Sequence, residues 1–312
     1  MTETIAARRS LEDWVLLMVL VVCWGSSFAM VKVAVETLSP AWLVLGRMVV
    51  GAAVLAAVLA ARGERLPRGL GPWSWYVWLA IIGYIVPFML ISWGTQYIAS
   101  GLAGICMSLV PLSILITAHF MLPDEPITPL KAAGFVIGLA GAVVLLGPEN
   151  LLKLEGHGLA FWGQVAILGA TVSYGLHGPV ARLAPRESVL SLATAVAIAS
   201  AVLAVPIAIL EDPAGYAGLT LEASLAVTGL GLLPTAVASL VLYRLLARAG
   251  AAFVSLSNYL IPVFAVVVGA VALEEAVTPA MITGMALILA GIAVSQRRGR
   301  SLAATPDPRR SA

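Results

Sequence analysis

Residues 124–146 read DEPITPLKAAGFVIGLAGAVVLL, and residues 274–295 read EEAVTPAMITGMALILAGIAVS. An offset of 150 pairs Pro129 with Pro279, Gly134 with Gly284, Leu139 with Leu289, Ala140 with Ala290 and Gly141 with Gly291. The correspondence reaches further out. With one residue of slippage Pro111 pairs with Pro262, and an offset of 146 pairs Ser27 with Ser173 and Phe28 with Tyr174. The chain is therefore expected to be two copies of one unit.

The unit is a membrane unit. Of the 312 residues 61% are hydrophobic and only 11% charged, where a soluble globular chain carries about a quarter charged residues. Ten apolar runs are legible, at 14–35, 41–61, 73–93, 101–121, 129–147, 158–180, 189–210, 222–243, 251–273 and 279–296, each near the roughly 20 residues a helix needs to cross the hydrocarbon. Turn residues separate them, as in EPIT, GPEN, APRES and EDPAG. No small-residue cleavage site follows the first run, so it is expected to be a retained span. Five spans per copy is an odd number, so the second copy must enter the bilayer upside down relative to the first. The expected fold class is an all-α integral membrane protein with ten transmembrane helices, as two inverted five-helix repeats around a central cavity. The expected division is a segment at 1–13, repeats at 14–150 and 151–296, and a basic, disordered tail at 297–312.

Lys and Arg set the expected orientation. With a cytoplasmic N-terminus, the inner side receives Arg8, Arg9, Arg62, Arg65, Arg68, Lys131, Arg182, Arg186, Arg244, Arg248, Arg297, Arg298, Arg300, Arg309 and Arg310, fifteen of the eighteen basic residues. Both termini are then cytoplasmic, and Glu211, Asp212, Glu274 and Glu275 fall outside. Basic residues so placed are topogenic, and no nucleic-acid surface is expected. Cys23 and Cys106 lie inside apolar runs, where cysteine behaves as a small hydrophobe; no disulfide or metal site is implied.

The WGSSFAMVKVAV of the first run, Arg47 in the second, the pattern after Pro111 and Pro262, the acidic loop, and the closing GFVIGLAGAVVL and GMALILAGIAVS together resemble the drug/metabolite transporter superfamily in its ten-helix EamA branch. The resemblance covers 14–296 and, within the branch, is greatest to bacterial exporters of aromatic and other neutral amino acids. It implies a multi-pass protein of the bacterial inner (plasma) membrane that works by alternating access.

The closing glycines have a physical reading of their own. Gly134, Gly138, Gly141 and Ala142 recur at spacings of three and four, a small face that lets helix backbones approach where lipid supplies no hydrophobic drive. A phosphate-binding glycine loop would need a strand-turn-helix context, which is missing.

Candidate site residues follow from helical spacing. Ser255, Asn258, Tyr259 and Pro262 share a face of the ninth run, matched by Gly104, Met107, Ser108 and Pro111 in the fourth; Gln164, Thr171, Tyr174 and Gly178 share a face of the sixth, beside His177. The first run offers Trp24, Ser27 and Phe28. Trp24, Ser27, Met107, Ser108, Gln164, Tyr174, His177, Asn258 and Tyr259 are thus the expected substrate-binding set, although each could equally make a single interhelical hydrogen bond. Pro87, Pro111, Pro234 and Pro262 sit mid-span, two in each half, and are expected to kink or hinge their helices. Arg47 and Lys32 are expected to snorkel to the nearer membrane surface, and His119 to be interfacial.

No Asp or Glu falls well inside a run, so a buried carboxylate for proton coupling has no candidate. No G-x-x-x-x-G-K-[ST] loop is present, and His119, His157 and His177 have no Ser or Asp partner at a defensible spacing. The chain is expected to be a transporter and not an enzyme, with no cofactor and no ATP-binding subunit. Its expected partners are the lipid bilayer and a small-molecule substrate, and it is expected to be able to act as a monomer. The expected solute is a neutral amino acid or similar small metabolite, moved downhill or by exchange. The alternatives are a multidrug or cationic-compound exporter of the same fold and, from another class, an intramembrane enzyme.

Overall fold

A computed structural model describes residues 10–122, 127–147, 158–185 and 187–296. Arg8, Arg9, Lys153, His157, Arg186, Arg297, Arg298, Arg300, Arg309 and Arg310 lie outside the described residues, as does the acidic pair Asp124 and Glu125. Among the described residues the regular structure is entirely helical, with ten apolar helices: α1 (Leu11–Ala34), α2 (Pro40–Ala61), α3 (Gly71–Tyr97), α4 (Ser100–Met121), α5 (Pro129–Leu146), α6 (Leu159–Leu183), α7 (Val189–Glu211), α8 (Leu221–Gly250), α9 (Ser257–Ala272) and α10 (Pro279–Ser295). Eight have at least 18 residues, about 27 Å at 1.5 Å per residue and enough to cross the hydrocarbon. α9 is shorter, with 16 residues, but the helical turn before it continues its path from Gly250, whose φ of 76° breaks the preceding helix.

The repeated threonine-proline pair has a local cause. Thr128 and Thr278 cap α5 and α10, each hydroxyl accepting from the backbone N–H of the third residue on, Lys131 at 3.3 Å and Met281 at 3.2 Å. Pro129 and Pro279 then occupy the first helical position, where the missing N–H costs nothing. Beyond these caps the two helices run antiparallel against each other, glycine on glycine. A Cβ at Gly141 would come within 2.8 Å of the carbonyl oxygen of Gly284, and one at Gly291 within 2.5 Å of that of Gly134. Contact at such range is backbone on backbone, which only small residues permit. Because α5 and α10 close their respective repeats, their opposite directions make the second repeat an inverted copy of the first.

The other pairs obey the same inversion. α2 lies against α7 with Ala41 near Glu211 at one end and Arg65 near Ser191 at the other. α4 lies against α9 with Gly104 beside Ala265 and Gly101 beside Val266. The end carrying Arg62, Arg65, Arg244 and Arg248 is called the arginine-rich end below.

Four helices depart from regular geometry. α1 turns at Ser26, between segments Leu11–Gly25 and Ser27–Ala34. α4 breaks at Ser108 and Leu109, immediately before Pro111. α3 contains a π-helical segment, Ile81–Ile85, directly ahead of Pro87, and α8 contains another, Gly231–Val237, that includes Pro234. Pro262 instead lies within a regular stretch of α9, and Pro206 within an unbroken α7, so a proline alone does not dictate a break.

Candidate functional site

The two π segments lie in the third helix of each repeat, and prolines explain why they need partners. In α3 the N–H of Val86 bonds the carbonyl of Ile81, five residues back. The next such bond would join residue 87 to the carbonyl of Ile82, but proline has no N–H. Ser173, on α6 of the second repeat, donates its hydroxyl to that carbonyl at 2.7 Å. In α8 Pro234 likewise deprives the carbonyl of Leu230, four residues back, and the Thr235 hydroxyl donates to it at 2.8 Å. The carbonyl of Pro234 itself accepts the Trp24 indole N–H at 3.3 Å. The first helix of each repeat thus ties down the π segment of the other, as an apolar solvent demands of any freed backbone group.

Between these segments sits Arg47. It is 7% exposed, and its Nε donates to the Thr235 hydroxyl at 3.0 Å. Its guanidinium carbon lies 3.7 Å from the centroid of the Phe88 ring, a cation–π contact worth about 2 kcal/mol when desolvated. The expected snorkelling does not occur. The side chain turns inward because a hydroxyl and an aromatic face await it there, from α8 and α3. Lys32, near the end of α1, reaches the end of another span: its Nζ donates to the carbonyls of Thr95, Ile98 and Gln96 at 2.9, 3.1 and 3.4 Å, closing the C-terminal end of α3.

Aromatic rings complete the chamber around Arg47. Tyr84 meets Phe88 edge-to-face at 5.6 Å between centroids, Phe88 meets Tyr174 at 6.5 Å, and Tyr84 meets His177 at 6.2 Å. His177 fills the space above Gly83 that a Cβ would require. Tyr84 and Tyr174 thus flank the Phe88 ring that carries the guanidinium. The chamber draws on α2 and α3 of the first repeat and α6 and α8 of the second.

Of the residues singled out from sequence, Tyr174 and His177 stand in this chamber, and Trp24 adjoins it through Pro234. Ser27 and Ser108 donate within their own helices, to Trp24 at 2.6 Å and Ile105 at 2.5 Å, and Met107 packs on the surrounding apolar cluster. Gln164 lies three turns from Tyr174 on α6, about 15 Å along the axis, and its buried Oε1 accepts no hydrogen bond among the described residues. Tyr259 donates to Gln296 at 3.1 Å, toward the arginine-rich end, and Asn258 beside it is half-buried. Arg47, Tyr84, Phe88 and Thr235 are the chamber residues that spacing did not single out. An arginine at membrane depth was the available signal.

Among the described residues the two ends of the molecule carry different contacts. Opposite the arginine-rich end, carboxylates of the second repeat bond helix N-termini of the first. Glu275 accepts from the Ser100 N–H, the Ser100 hydroxyl and the Gly101 N–H at 2.6, 2.9 and 3.0 Å. Glu211 accepts from the Ala41 N–H at 2.7 Å, and the Trp42 indole donates to the carbonyl of Asp212 at 2.7 Å. At the arginine-rich end, by contrast, a cavity of about 360 Å³ opens among Arg62, Glu64, Ser188, Leu240, Tyr243 and Arg244.

Several proteins similar to this chain are named as transporters. The chain is 29% identical to a probable terminal-alkyne amino-acid exporter of Streptantibioticus cattleyicolor, over 95% of this chain and 98% of that one. It is 26% identical to an uncharacterized transporter of Archaeoglobus fulgidus, over 92% and 100% respectively. A crystal structure 24% identical in sequence superposes with a TM-score of 0.64 over 91% of this chain and 98% of that one, which supports the fold. The model of the EamA-like transporter family matches twice, at residues 14–147 and 161–296, one match to each five-helix unit. With the inverted repeats and the membrane-spanning helices, this makes the chain a multi-pass membrane transporter that belongs to the EamA family.

Proposed function

We propose that this transporter exports neutral amino acids, aromatic and other uncharged ones, or closely similar metabolites, from the cytoplasm by alternating access across the bacterial plasma membrane. The observation that carries this reading is the chamber of Tyr84, Phe88 and Tyr174 between the repeats. Ring faces and edges bind an apolar side chain through area and quadrupole contacts without demanding one shape, so several side chains are accommodated. The relative named as an amino-acid exporter supports the same solute class. A buried guanidinium in the chamber wall opposes an organic cation, which argues against a cationic-compound exporter. No chemistry on the solute is invoked.

In this reading the arginine-rich end is cytoplasmic, and the cavity reaching Tyr243 is the entrance. The far end is then external and held shut by Glu275 and Glu211. The π segments at Pro87 and Pro234 are the hinges, since a helix bends where a proline and a π turn interrupt its ladder, and Pro111 serves the same purpose at the break in α4, with Pro262 at the matching but regular position of α9. Trp24, Ser27, Met107, Ser108, Gln164, Asn258 and Tyr259 line the path on either side of the chamber in successive states. The test is counterflow of labelled phenylalanine into proteoliposomes preloaded with unlabelled phenylalanine. Accumulation supports the proposal, whereas a chemically altered product, or counterflow of organic cations without amino acids, refutes it.

A further inference from the structure

We infer that Arg47 is the carboxylate anchor of the chamber: the solute's carboxylate docks end-on against the Nη groups of its guanidinium. The inference rests on the amino-acid reading above and assigns the part of the solute that the aromatic rings cannot hold.

The guanidinium is cationic and 7% exposed, yet among the described residues no carboxylate pairs with it. The described ion pairs all join Arg244 or Arg248 to Glu12 or Asp13, at the arginine-rich end. Of its five N–H groups Nε is engaged by Thr235, and the Nη groups have no hydrogen-bond partner among the described residues. Phe88 covers one face of the plane at 3.7 Å, so a ligand must approach the edge, where the two Nη groups present parallel donors matched to a carboxylate. A cation at this depth costs at least about 2.5 kcal/mol, and neutralising it with an anion recovers part of that cost. Tyr84 and Tyr174 both meet the Phe88 ring on which the guanidinium lies. A solute with its carboxylate on Arg47 would therefore lay its side chain along those rings. Arg47 also braces the α8 π segment through Thr235, so a purely structural role has to be separated from an anchoring one.

Three probes of nearly one shape make that separation: phenylalanine, 3-phenylpropionate, which lacks the amine, and phenethylamine, which lacks the carboxylate. Binding to the detergent-purified full chain is followed by intrinsic fluorescence. The two carboxylates should bind at least about tenfold more tightly than phenethylamine, and Arg47→Gln should reduce that preference to within about twofold. Arg47→Lys should keep an intermediate preference, having charge without the fork. A structural role would weaken all three probes together and leave their order intact. Equal binding of acid and amine by the unaltered protein, or binding of none of the three, overturns the anchor even if Arg47→Gln fails to fold. Failure of the amino-acid reading looks different: no counterflow of any amino acid, with 3-phenylpropionate still bound in an Arg47-dependent manner.

Discussion

Removing the Glu275 side chain should unlatch the end of the molecule opposite the arginines. That carboxylate accepts three hydrogen bonds from the start of α4, at 2.6, 2.9 and 3.0 Å, two of them from backbone N–H groups of a helix N-terminus. Bonds to a charged group contribute about 1.5–3 kcal/mol each, and a helix N-terminus adds a few tenths more for a carboxylate. Glu275 is half-buried and water replaces part of what is lost, so the low end of the range applies and the contributions are not additive. A net loss of about 3 kcal/mol for Glu275→Ala shifts the closed-to-open ratio roughly a hundredfold, at 1.36 kcal/mol per factor of ten. Cys106 is a built-in reporter. It is 1% exposed and lies on α4 six residues beyond Ser100, about 9 Å deeper along the axis. In a Cys23→Ser background, Glu275→Ala should accelerate maleimide modification of Cys106 by one to two orders of magnitude, about the shift in population. An unchanged rate in a folded variant would refute the latch. So would an equal acceleration in Arg248→Ala, which loosens the other end and would reveal general destabilisation.

Three further outcomes are expected. Gly141→Leu should sharply reduce the folded protein recovered from the membrane, because the new side chain meets the Gly284 carbonyl and Ile288 and overpacking against backbone costs more than the usual 1–3 kcal/mol; normal yield and melting temperature would contradict the seam. Trp24→Phe should slow transport and lower stability by about 1 kcal/mol, the net worth of the hydrogen bond to the Pro234 carbonyl, read by counterflow rate and thermal melting. Cysteines placed at Arg65 and Glu274 should react with impermeant reagents from opposite sides of the membrane; labelling of both from one side would remove the inverted topology.

What could be read in the chain and what could not divide along physical lines. The threonine-proline starts and the small faces of α5 and α10 were legible because each is a local requirement: a cap, a first-turn proline, a close approach. The second repeat declared itself through the same local requirements met again at 279–295. The inward turn of Arg47 is not legible because the nearer membrane surface is about two turns away along α2, whereas Thr235, the partner that turns it inward, is 188 residues distant in sequence. The prolines announced irregularity in α3 and α8 without saying that it would be a change to π register. That outcome depends on Ser173 and on the Thr235 hydroxyl reaching carbonyls that proline deprives. Pro206 shows the limit of the signal, since α7 passes through it unbroken.

The seam between α5 and α10 has one more property. Under the 150-residue correspondence Gly134 equates with Gly284 and Gly141 with Gly291, yet Gly134 meets Gly291 while Gly141 meets Gly284. Each contact is therefore the mirror partner of the other, the pattern of an isologous two-fold interface, with its axis in the membrane plane. In a carrier built from inverted repeats, the second state is reached when the two halves exchange conformations. Exchange maps such a seam onto itself. It carries no information about which side is open, and rocking does no work on it, so it can act as the bearing of the machine. The contacts that must break and re-form are the ones without a twin across that axis. The break in α4 at Ser108 belongs to this class, since the matching part of α9 is regular helix, and the free-energy difference between the two states resides in such features.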